Sequence, residues 1–178
     1  MANPWREHPK LRGRLHAENP DDVQVIVHDG GPRLTDHAPE LVWVTVTSCD
    51  GAVFSGRVLN QPVQLTSVCE GSEITFVVPD SGAHAIMVTE KYLRERPDWI
   101  IQPCHQCGFS ELFDAPSDLM CAVFPGPQPD DLMMELFTAF CGVCGGVQVV
   151  QPRDAKLGED STPAPFQPSP KKWWQFWR

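Results

Sequence analysis

Two residues separate Cys104 from Cys107, Cys141 and Cys144 repeat that spacing, and each pair is followed at once by a glycine, Gly108 and Gly145. Nothing else in the chain restricts its fold as tightly. Two cysteines so spaced can turn both sulfurs to the inside of one tight loop, and the following glycine lets backbone N–H groups approach the thiolates. Two such loops complete a tetrahedron. A closed tetrahedron of thiolates leaves no position for water or substrate, so a metal held by it organises the fold.

The expected ligand set is therefore Cys104, Cys107, Cys141 and Cys144, and the expected ion is a structural Zn2+. Iron is the chemical alternative, because the same four thiolates around iron make a one-electron centre. A dithiol redox pair fits less well. Such a pair opens a helix after a strand, and neither pair here does so. His105, inside the first loop, is read as an exposed loop residue and not a ligand. Cys49, Cys69 and Cys121 are left as ordinary thiols. Seven cysteines, an odd number, suit a reducing compartment and a metal better than a disulfide framework. No apolar run matches a bilayer span and the N-terminus lacks the apolar stretch of a secretory signal, so the expected location is the cytoplasm.

The net charge of −9 is unevenly spread. Between Arg96 and Arg153 there is no lysine or arginine, while Asp98, Glu111, Asp114, Asp118, Asp130, Asp131 and Glu135 all fall there. A four-thiolate zinc centre makes this half more negative still, and it should repel phosphate backbones. Nucleic acid is thus not the expected partner. Positive charge gathers near the ends, in Arg6, Lys10, Arg12 and Arg14, and in Lys171, Lys172 and Arg178.

Residues 1–20 are basic and broken by Pro4, Pro9 and Pro20, and read as a flexible arm. Residues 21–88 read as a small barrel. Strands are expected at 23–27, at 41–48 with Val42, Val44 and Val46 on one face, at 52–59, at 72–78 with Ile74, Phe76 and Val78 on one face, and at 84–88. Asp50 and Gly51 suit a type I′ hairpin turn. Short strands with turns between them and no helix argue for an antiparallel, SH3-like barrel. Thr89 can cap a connecting helix over 89–97, which Pro97 ends. Residues 98–152 then form a zinc-ribbon module: a strand over 99–102, the first knuckle, a short helix capped by Ser117 over 118–123, a strand over 133–140, the second knuckle, and a strand over 146–150. The fold class is mainly β with minor helix.

Trp43 and Val44 in one strand, Gly56, Val58, Asn60 and Pro62 around a strand exit, and Gly71, Ile74 and Phe76 in a third segment resemble the small barrel of bacterial YegJ-like proteins. Those carry Lys-Gly-Asp where this chain has Glu70, Gly71 and Ser72. The resemblance spans residues 38–90 and implies a fold; it brings no catalytic residues. The second knuckle resembles zinc ribbons and, less closely, rubredoxins, which carry proline where Val143 stands.

Two local clusters, His28 with Asp29 and Asp36 with His37, could host acid–base chemistry, but they sit among turn residues and read as polar turns. No Gly-rich phosphate loop is present, and Ser55 with Gly56 lacks the setting of a nucleophile elbow. The expectation is a protein without catalysis. The last stretch, 153–178, reads as a disordered linker ending in Lys171, Lys172, Trp173, Trp174, Gln175, Phe176, Trp177 and Arg178. Half of the six tryptophans lie there. Trp173, Trp174, Phe176 and Trp177 need a surface: their own protein, a partner's groove, or, weakly and reversibly, an anionic membrane. A non-catalytic adaptor with a protein partner is the resulting expectation. A rubredoxin-like electron carrier and an immunity-type inhibitor of a basic protein are the alternatives.

Overall fold

The computed structural model describes residues 3–80, 84–123 and 136–154. The valine-rich segments form five strands, β1 (Asp22–Val27), β2 (Glu40–Asp50), β3 (Val53–Val58), β4 (Glu73–Val77) and β5 (Ala85–Met87), in one closed barrel. Each strand runs antiparallel to the next, and β1 meets β5 in parallel through Val25 opposite Ala85 and Ile26 opposite Ile86. That closure follows from number. In an up-and-down run of five strands the first and last point the same way. The small SH3-like barrel expected from the sequence is thus present, with one parallel seam.

Val23, Val25 and Val27 of β1, and Val42, Val44 and Val46 of β2, face inward on alternate positions, with Phe54, Ile74 and Phe76 across from them. The alternation in β2 breaks at a bulge between Val46 and Ser48, after which Cys49 turns toward the core. At Gly56 β2 leaves no room for a side chain: a Cβ there would lie 2.4 Å from a Val44 methyl and 2.7 Å from the Thr45 carbonyl oxygen. The β2–β3 turn departs from expectation. Asp50 pairs with Val53, so Gly51 and Ala52 make the loop, and only Gly51 has a positive φ, +54°. A type I′ turn needs two such residues; glycine alone at the first position is the II′ pattern.

The N-terminal arm, expected to be loose, is ordered over residues 3–20. A 3-10 turn at Pro4–Glu7 brings Trp5 against the barrel, and Leu11 is completely buried in its core. Asp21 ties the arm down. Its carboxylate accepts from Trp5 Nε1 at 2.8 Å, Asn3 Nδ2 at 3.1 Å, and Arg6 Nε and Nη2 at 2.8 and 2.7 Å. The Arg6 hydrogen bonds chiefly hold the Asp21 carboxyl well below the usual carboxylate range.

The loop between β3 and β4 is fixed by two carboxylates from elsewhere. Glu40 accepts from the backbone N–H of Val63, Gln64 and Leu65, while Asp29 takes the N–H and hydroxyl groups of Thr66 and Ser67. Asn60 reaches back to the Trp43 N–H at 2.8 Å, and Pro62 is buried. Asn60 and Pro62 thus hold the exit of β3 against β2.

After the barrel, Thr89 caps α1 (Glu90–Glu95), its hydroxyl accepting from the Tyr92 N–H at 3.1 Å. A 3-10 turn at Arg96–Asp98, with Pro97 in its middle, leads to β6 (Trp99–Ile101). The second helix, α2 (Pro116–Val123), starts earlier than expected because Pro116 occupies its first turn. Ser117 is not its cap: the hydroxyl donates to Glu95 on α1 at 2.7 Å. β7 (Phe137–Phe140) and β8 (Val147–Pro152) form a hairpin, with β6 on the other side of β8.

A second core joins this ribbon to the barrel. Ile101, Phe109, Leu112, Phe113, Phe137 and Val150 pack with Ile86, Val88 and Tyr92, and the outer side chains of Ile26 and Val77 complete it. Arg96 and Tyr92 converge on the Glu111 carboxylate, Arg96 Nε at 2.7 Å, binding helix to post-knuckle loop. His28 is buried at the junction. Its ring stacks on Phe113 at 4.1 Å, its Nδ1 accepts from the Gly30 N–H, and its Nε2 faces the Met87 carbonyl at 2.9 Å, which fixes the neutral tautomer.

Burial pushes the His28 pKa down, outweighing the Met87 carbonyl and the nearby Asp29 charge. The unfolded chain takes up a proton near its ordinary value of about 6.5 while the folded one does so only at lower pH, so stability falls as pH drops below that value. Denaturant titrations between pH 7.5 and 5 should show that loss, at most about 1.4 kcal/mol per pH unit for one group. In His28→Phe the slope over this window should flatten; an unchanged slope would assign it elsewhere.

Candidate metal centre

The two knuckles are built alike. β6 delivers Cys104, and the β7–β8 hairpin carries Cys141 and Cys144 at its tip. In each, the glycine N–H donates to the carbonyl of the first cysteine at 2.8 Å, Gly108 to Cys104 and Gly145 to Cys141. Gly108 and Gly145 have φ values of +75° and +73°. Each first cysteine then donates its own N–H onward, Cys104 to Phe109 O at 2.8 Å and Cys141 to Gly146 O at 2.6 Å. Such equivalence places the four sulfurs by turn geometry alone.

All four sulfurs lie within 4.8 Å of one another. Cys104 Sγ is 3.5 Å from Cys144 Sγ, and Cys107 Sγ is 3.6 Å from Cys141 Sγ. A disulfide needs about 2.05 Å. An ion bound at about 2.3 Å to each of four sulfurs sets them about 3.8 Å apart, close to both separations. The cluster can hold a metal ion. Cys104 and Cys141 are buried, whereas Cys107 and Cys144 are exposed, so the centre has a deep side in the second core and an open side at the surface.

The electrostatics suit a cation. Burial pushes the Cys104 thiol up, but the N–H groups of Cys107 and Gln106 and the sulfurs of Cys144 and Cys107 outweigh it and bring it down to about 6. Burial pushes Cys141 well up against the pull of the Cys144 and Val143 N–H groups, and Cys144 also rises. Four thiolates at this spacing repel one another, so complete ionisation requires a cation among them.

Three glycines make the second knuckle fit. A Cβ on Gly146 would stand 2.7 Å from Cys104 Sγ, and one on Gly142 would be 2.3 Å from the Phe113 ring. Gly145 supplies the turn. His105 is exposed and is not one of the clustered ligands; the Val147 N–H donates to its Nδ1 at 3.1 Å, which links the first knuckle to β8. Behind the site Gln148, almost fully buried, donates to the carbonyls of Phe109 and Glu111 at 2.9 and 3.1 Å. Its place was not legible in the sequence, where a polar residue in a valine strand gave no hint of a buried clamp.

The other sequence candidates disperse. Asp29 accepts from His37 Nδ1 at 2.9 Å as well as from Thr66 and Ser67, and His28 is stacked at the module junction. Both border a cavity of about 810 Å³ that also reaches Asp114, whose carboxyl is raised by burial and accepts from the Gly31 N–H at 2.7 Å. Cys49, Cys69 and Cys121 lie apart from the cluster. Trp173, Trp174, Phe176 and Trp177 lie outside the described residues. The chain matches no protein-family model, no curated protein and no solved structure, so its family is not set by likeness, and the four-sulfur centre is the feature on which a functional reading has to stand.

Proposed function

We propose that Cys104, Cys107, Cys141 and Cys144 hold a structural Zn2+ and that the protein is a non-catalytic recognition or adaptor module with a protein partner. One observation carries this reading. The deep ligands Cys104 and Cys141 belong to the same packed core as Ile86, Val88 and Tyr92, so the ion fastens the ribbon to the barrel. A closed four-thiolate set offers no open position for chemistry. The absence of lysine and arginine between Arg96 and Arg153 favours protein over nucleic acid as partner, and the aromatic C-terminus is the proposed anchor. The cytoplasm, which keeps thiols reduced, is the proposed compartment. The described residues include no helix long and apolar enough to cross a membrane.

A second reading, an iron centre for electron transfer, is favoured by the exposure of Cys107 and Cys144, which brings the thiolates to the surface. Metal analysis with a visible spectrum of the purified protein decides between them. The zinc reading expects one equivalent of zinc and no visible band. Red iron–thiolate absorption would overturn it.

A further inference from the structure

Among the described residues, half of the large apolar side chains that stand exposed lie on the β7–β8 hairpin: Leu136, Phe140, Val143 and Val147. They form one stripe. Phe140 pairs directly with Val147 across the hairpin, Val143 is at the turn between them, and Leu136 precedes β7 on the side that Phe140 shares. Their neighbours Phe137, Ala139, Gln148 and Val150 point inward. β7 is also the edge of its sheet. Arg33 covers part of the stripe, its guanidinium 4.9 Å from the Phe140 ring centre. The stripe residues remain 40–50 % exposed, and an apolar face of this kind marks a contact surface.

The chain supplies a segment of matching chemistry. β8 ends at Pro152, and the sequence closes with two lysines, three tryptophans, a phenylalanine and an arginine within residues 171–178. We propose that residues 171–178 dock on the outward face of the β7–β8 hairpin of their own chain. Trp173, Trp174 and Trp177 cover Phe140, Val143 and Val147, and the three cations lie over a half of the protein that has none between Arg96 and Arg153. The proposal stands on the apolar stripe and this charge pattern, whichever metal the thiolates hold.

Reach permits it. The linker of residues 153–170 spans about 23 Å as a flexible coil and about 55 Å if its prolines extend it. The six residues of β8 are about 20 Å long, so the segment can return to the knuckle tip in either regime. Tethering gives a local concentration on the order of millimolar, enough to populate a contact that would be weak between separate molecules. The docked state places the aromatic anchor and the hairpin stripe in one contact, so a partner that takes either must first part them.

NMR of the full chain tests this. Nuclear Overhauser contacts are expected between the methyls of Val143 or Val147 and the indoles of Trp173, Trp174 or Trp177. In a mixture of labelled and unlabelled protein they should remain within one molecule. Val147→Lys and, separately, Val143→Lys should lower the docked population at least tenfold and move the three indole N–H signals to those of the free octapeptide 171–178. Both sites are exposed, so the ribbon should keep its fold in each variant. Wild-type indole signals that already coincide with the free peptide would overturn the proposal. So would contacts between molecules, contacts to the barrel, or a stripe covered instead by residues 124–135.

Discussion

Cys141→Ser and Cys107→Ser are each expected to lose the metal, from one equivalent per chain to less than a tenth, and to release the ribbon while most of the barrel stays folded. The pair is chosen for contrast. Cys141 is completely buried in the second core, whereas Cys107 is exposed. If packing were what mattered at these positions, only the Cys141 variant would suffer. If the ion matters, both should fail alike, because a structural zinc site contributes on the order of 10 kcal/mol to the folding of a small module. Hydrogen exchange gives the readout: amides of β6, β7 and β8 should lose protection in both variants, while those of β2, β3 and β4 keep it. A Cys107 variant with a fully protected ribbon would show that the sulfurs are not acting as a metal site.

Leu11→Ala is expected to destabilise the whole barrel by about 2–5 kcal/mol, the range for removing a large buried aliphatic side chain. Urea unfolding measures it, with a lower midpoint and an unchanged slope. Arg12→Ala, one residue on and exposed, serves as the control and should stay within about 0.5 kcal/mol of the parent. A cost below about 0.5 kcal/mol for Leu11→Ala would mean that the arm contributes nothing to the core. The expected size comes from complete burial of Leu11 among the barrel valines.

That arm shows where sequence reasoning stops. The strands were legible because alternating valines announce a half-buried surface, and the knuckles because turn geometry and thiolate spacing are the same wherever they occur. Leu11 has no periodic neighbour. Its burial depends on Asp21 gathering Asn3, Trp5 and Arg6 from a distance, and no local pattern encodes such a contact. The clamps of Glu40 and Asp29 on the β3–β4 loop are equally non-local. The β2–β3 turn differs for a narrower reason: the loop is shifted by one residue, so Gly51 takes the first position expected for Asp50 and Ala52 the second. Gly142 is set by a non-local neighbour as well: the Phe113 ring leaves no room for a Cβ there.

The parallel seam of the barrel has a further consequence. β1 and β5 share only two residue pairs, the shortest run in the barrel together with that between β4 and β5. Ile26 and Ile86, which form one of those pairs, are also where the ribbon core rests on the barrel. The ribbon thus lies as a clasp over the join. Loss of the clasp should therefore let β5 fray first, its amides exchanging before those of β2 and β3. In a chain with so few closing pairs, the durability of the ring is expected to follow the packing of the ribbon against Ile26 and Ile86.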